Sequence, residues 1–135
     1  MLLATDLEHA SVAATDTAIE IAAGLHARLV VTNVVEPGPR GARGALRVDQ
    51  LRPGRESAVQ AIVERAQAAG VDATFLVWQG AAGHAIVDAA GAEGADVIVV
   101  GSRGLGAVGR IVLWSVSDYV VRHARCPVLI VRPPS

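Results

Sequence analysis

The residues best suited to chemistry lie in one stretch, Gly101-Ser102-Arg103-Gly104-Leu105-Gly106, directly after the apolar run Val97 to Val100. Glycine adopts positive φ and puts no Cβ in front of its amide, so such a turn can aim successive N–H groups at an anion. A helix expected from about Leu113 to His123 would add its free N-terminal amides and dipole, and Ser115 and Ser117 would add hydroxyl donors. Asp6, at the end of the first apolar run, offers a carboxylate acceptor. Each feature has a plainer alternative. A glycine turn after a strand also serves merely to reverse the chain. Asp6 or Ser115 also suits a helix cap, Ser102 a bond within its own turn, and Arg103 an exposed position.

Other chemistries are excluded or weakened by residue type. All twelve basic residues are arginine, and without lysine there is no Schiff base, lysine general base or Walker-type phosphate lysine. His9, His26, His84 and His123 show no metal-type spacing, and none is assigned to a site. Gly-x-Ser-x-Gly is absent, which removes the nucleophile-elbow hydrolases. Cys126, the one cysteine, has no internal disulfide partner; it reads as structural, in a reducing compartment. A net charge of −1 gives no general pull toward nucleic acid or an anionic membrane. The opening Met1-Leu2-Leu3-Ala4-Thr5-Asp6 lacks a basic signal-peptide start, and no apolar run approaches the ~20 residues of a spanning helix. A cytoplasmic protein is expected.

The elements that must position these residues follow from periodicity. Met1 to Thr5, Arg28 to Val35, Ala73 to Trp78, Asp96 to Val100 and Pro127 to Val131 read as strands, the most apolar of them buried on both faces. Apolar spacings of three and four mark helices over Ser11 to about Leu25, Gly54 to Ala69 and a segment through Ala82, Ile86, Ala89 and Ala90. Glu36 to Pro53, with its prolines, glycines and arginines, reads as a long loop; the series Arg40, Arg43, Arg47, Arg52 and Arg55 reads chiefly as solvated. Strands alternating with helices imply one domain over residues 1–135: an α/β fold with a single five-stranded parallel sheet and helices on both faces. Right-handed crossovers leave the flavodoxin-like order 3-2-1-4-5 as the leading topology. In that order the first and fourth strands meet at the reversal of direction, where ligands bind beyond the strand ends. With 3 % aromatic residues, the core must be Ala, Val, Ile and Leu.

The segments Ala95 to Gly104, Ser115-Val116-Ser117 and Cys126 to Val131, together with Thr5-Asp6, Asn33-Val34-Val35 and Gly80, resemble the universal stress protein family over essentially the whole chain. The resemblance implies an adenine-nucleotide α-hydrolase-like fold binding ATP or a related adenine nucleotide, accompanied by Mg2+. Asp6 would meet the adenosine end, and Val34 and Val100 would line base and ribose. Gly101, Arg103 and Gly104 would lie along ribose and phosphates, and Ser115 and Val116 would hold phosphate oxygens. A homodimer through the last strand, Pro127 to Val131, is implied as well, with an unidentified protein partner in signalling. ATP-binding members carry Gly-x-x-Gly, nine residues, then Gly-Ser or Gly-Thr; Gly101, Gly104 and Ser115 fit, but Trp114 stands where the glycine belongs. The indole swings outward, fills the phosphate pocket or packs at a dimer face. Two functions therefore compete: a nucleotide-binding regulatory domain with slow or no hydrolysis, and a dimeric interaction module whose phosphate site Trp114 blocks. An enzyme ranks last.

Overall fold

The computed structural model describes residues 1–7, 11–35, 44–46, 54–102 and 116–133, and the backbone alone for 44–46. The elements are β1 (Leu2–Thr5), α1 (Val12–Leu25), β2 (Leu29–Val35), β3 (Gly44–Leu46), α2 (Arg55–Ala68), β4 (Ala73–Gln79), α3 (Ala82–Glu93), β5 (Ile98–Gly101), α4 (116–123) and β6 (Val128–Val131). One sheet has the order β3-β4-β2-β1-β5-β6. Its last five strands are parallel, which is the expected 3-2-1-4-5 when they are numbered among themselves.

The sixth strand departs from the expected five-stranded sheet. Gly44–Leu46 pairs antiparallel with β4, inside the stretch read as a loop. Three residues are too few to show an alternating pattern. The pairing takes up backbone groups along an outer edge that β4 would otherwise leave open.

Buried side chains divide by strand parity, because neighbours along a strand point to opposite faces. Leu3, Val31 and Val99 join Ala14, Ala18 and Ala22 of α1 and Val59, Val63 and Ala66 of α2. Leu2, Ala4, Ile98 and Val100 join Ile86, Ala89 and Ala90 of α3 and Val120 of α4 on the other side. The core is aliphatic as expected, and alanines let the helices lie close to the sheet. Trp78 packs at the border of the second cluster. Helix ends follow backbone chemistry: Gly94 closes α3 with φ 62°, whereas α1 ends on His26 in the same left-handed region at φ 52°. Among the described residues, no helix is long and apolar enough to cross a membrane.

Thr32, fully buried in β2, has a hydroxyl with no hydrogen-bond partner among the described residues. A desolvated hydroxyl left unpaired costs about 1–3 kcal/mol. Thr32→Val removes it at nearly constant shape, so urea unfolding should show a gain of about 1 kcal/mol or more at unchanged m-value. A loss of stability would mean that the hydroxyl has a partner in solution.

Candidate functional site

The carboxyl ends of β1, β2 and β5 lie side by side. Thr5 is in register with Asn33, and Ala4 with Val100, so Asp6, Val34 and Gly101 come to one edge of the sheet. This is the point where the winding reverses. β1 leads through α1 to β2 on one side, and β5 is reached through α3 on the other.

The turn after β1 is built from polar contacts. The Thr5 hydroxyl accepts from the Leu7 amide at 3.0 Å, and the Leu7 backbone is left-handed at φ 67°. A branched side chain is disfavoured there, so the surrounding bonds must hold the turn. Ser11 Oγ donates to Asp6 Oδ1, and Thr15 Oγ1 donates to the Ser11 carbonyl at 3.1 Å. Ser11 is the N-cap residue of α1, but its side chain makes no capping bond to the helix. Its hydroxyl instead orients Asp6. From β2, the buried Asn33 donates through Nδ2 to the Thr5 carbonyl at 2.8 Å, and its Oδ1 accepts from Arg55 Nη1. Arg55, expected to be solvated, therefore ties the start of α2 to the end of β1. A hollow of about 190 Å3 opens beside the turn, walled by Thr5, Leu7, Ser11, Val12, Thr15 and Ile62 among others.

At the β5 end, Gly101 is buried and Ser102 continues the sheet, its amide donating to the Val131 carbonyl at 2.9 Å. Ser117 departs from expectation. It is 1 % exposed and donates to the Gly101 carbonyl at 3.2 Å, so its hydroxyl locks α4 to β5 and is not turned to an anion. Val100 is a core residue at 3 % exposure, while Val34 and Val116 are half-buried at the edge of the same cluster. Arg103, Gly104, Trp114 and Ser115 lie outside the described residues. The structure thus brings Asp6, Val34, Val100 and Gly101 to one strand-end edge, with Val116 at the start of the described part of α4.

Among the described residues, no group of three or more His, Cys, Asp or Glu side chains could hold a metal ion. Cys126 is half-buried near the opposite end of the sheet, and burial followed by the Asp96 carboxylate pushes its thiol up. A raised thiol is a poor nucleophile, in line with a structural role.

The Asn33–Arg55 brace and the Ser11–Asp6 bond escaped the sequence reading. Asn33 was the one available signal, an amide inside a β-branched run.

Against known proteins, the sequence model described as the universal stress protein family matches residues 1–132. A universal stress protein of Methanocaldococcus jannaschii is 30 % identical over 99 % of this chain and 82 % of its own length. One of Thermus aquaticus is 42 % identical over 78 % of each. A universal stress protein solved in complex with cAMP superimposes with a TM-score of 0.71 at 30 % identity, covering 96 % of this chain and 93 % of the other. The Archaeoglobus fulgidus universal stress protein in complex with dAMP gives 0.72 at 19 % identity over 96 % and 94 %, a likeness of fold alone.

Asn33→Ala removes a donor and an acceptor together and strands the Thr5 carbonyl. Denaturant unfolding is expected to show a loss of about 1–3 kcal/mol. A change within ~0.5 kcal/mol, the range of an ordinary surface substitution, would show that the brace carries no weight.

Proposed function

This chain belongs to the universal stress protein family, and on that footing we propose that it is a regulatory domain binding ATP or a related adenine nucleotide at the carboxyl ends of β1, β2 and β5. The observation that carries the reading is the meeting of Asp6, Val34 and Gly101 at the reversal of strand order, where open parallel sheets take their ligands. The relative solved with cAMP adds support from a chain 30 % identical. Asp6, oriented by Ser11, would meet the base, with Val34 and Val100 along base and ribose. Gly101, Arg103 and Gly104 would follow the ribose and phosphates, and Ser115 and Val116 would take phosphate oxygens. Ser117 is assigned no ligand contact, because its hydroxyl is engaged with Gly101. A divalent ion such as Mg2+ would arrive with the phosphates, since they, rather than a carboxylate cluster, supply its ligands. Hydrolysis would be slow at best, because the reading places no general base beside the γ-phosphate.

The second reading is an interaction module without nucleotide, and Trp114 favours it. Tryptophan in place of glycine puts a Cβ and an indole where phosphates would approach backbone. Both readings share a homodimer through β6. That strand ends the sheet, its outer edge has no neighbour among the described residues, and Leu129 is 37 % exposed. An unpaired apolar edge is a template for a second copy.

Calorimetric titration with ATP separates the readings. Native protein is expected to bind, to release an adenine nucleotide on heating after purification, and to bind more tightly as Trp114→Gly. No binding by either protein would leave the interaction module standing. For the dimer, light scattering is expected to give twice the 13.9 kDa of one chain, falling to one chain with Leu129→Arg. An unchanged mass for that variant would place the contact elsewhere.

A further inference from the structure

The α3–α4 contact is unusually closely fitted. Gly83, in the first turn of α3, faces Tyr119 of α4, and a Cβ built on Gly83 would lie 2.9 Å from Tyr119 Cδ1 and 3.0 Å from its Cβ. Tyr119 therefore sits in a notch that only glycine leaves open. Its hydroxyl and His84 Nδ1 share a hydrogen bond at 2.9 Å, and the two rings lie 4.3 Å apart between centroids. The ring also stacks on His123 at 3.9 Å and 18° between planes. His123 Nδ1 in turn donates to the Tyr119 carbonyl at 2.9 Å. Two residues before Tyr119, the buried Ser117 is bonded to the carbonyl of Gly101. The described part of α4 is thus held from two sides, to α3 through Tyr119 and to β5 through Ser117.

We propose that Gly83, His84 and Tyr119 are positioning residues for the phosphate end of the nucleotide site, setting where Val116 and the described turns of α4 stand relative to Gly101. The inference rests on the nucleotide reading above. The physical need is clear: amides can stabilise an anion only if they are held in place before it arrives. Val120 anchors α4 in the core and Ser117 bonds it to β5, but both contacts face the sheet and neither sets its distance from α3. The ring of Tyr119, set in the α3 notch and in contact with His84 and His123, fixes that distance. A nucleoside, which lacks phosphates, would be indifferent to it.

The test compares ATP with adenosine, by calorimetry, in native protein, Tyr119→Ala, Tyr119→Phe and Gly83→Ala. Tyr119→Ala empties the notch, and Gly83→Ala pushes the ring out of it. Both are expected to weaken ATP binding roughly tenfold, the scale of one lost charge-assisted hydrogen bond, while the adenosine Kd stays within about twofold. Tyr119→Phe keeps the ring and should recover most of the ATP affinity. Equal losses for both ligands, or an unchanged ATP Kd in both notch variants, would overturn the positioning role and leave the nucleotide reading intact. Native protein that binds neither ligand ends both.

Discussion

The molecule depends on the complete burial of a very short strand. β1 has four residues, all buried, with Leu3 on one face and Leu2 and Ala4 on the other. Burying Leu2 and Leu3 contributes about 1.5–3 kcal/mol each, and it requires helices on both sides. Helices on both sides require the chain to leave β1 in one direction and return past it in the other. The gap beyond β1 and β5 is therefore a by-product of covering both faces of a central strand. The crevice at that reversal thus follows from the way the core is closed.

A strand that ends in such a gap leaves its last polar groups without a ladder, and they need other partners. Thr5 supplies a hydroxyl to the Leu7 amide, and Asn33 reaches across from β2 to the Thr5 carbonyl. The left-handed Leu7 is held in that conformation by these bonds together with its packing against the first core cluster. Beside them, the Ser11 hydroxyl fixes the direction of Asp6. Stability and geometry are consequently linked at this edge: the bonds that satisfy the strand end hold the turn from which the Asp6 carboxylate, oriented by Ser11, projects.

Much of this was legible because buried parallel strands leave a strong compositional mark. Val97 to Val100 and Leu29 to Val35 could hardly be anything but strands, and alternation with helices then restricted the order. Asp6 and Gly101 were placed at one edge by topology alone, which requires no side-chain detail. Three of the misses share one cause. The pairing of Gly44–Leu46 with β4, the reach of Arg55 to Asn33 and the bond from Ser117 to Gly101 are contacts between residues distant in sequence. Residue type shows that Ser117 can donate; only the fold shows to what. A serine two residues from a candidate phosphate ligand was read as a ligand itself, whereas its burial commits it to backbone.

The scarcity of aromatic rings gives the last step. In a core of alanine and valine, a ring is a spacer whose volume no neighbour can imitate, so it fixes the separation of the elements that hold it. Tyr119 does this between α3 and α4, and Gly83 opposite it shows that the separation is set to the thickness of the ring. Glycine in a helix gives up conformational entropy on folding and adds no side-chain packing of its own. What the close approach provides in return is a described part of α4 held at one distance from α3. The end of β1 and the described part of α4 are thus held by separate devices, a polar brace on one and an aromatic one on the other.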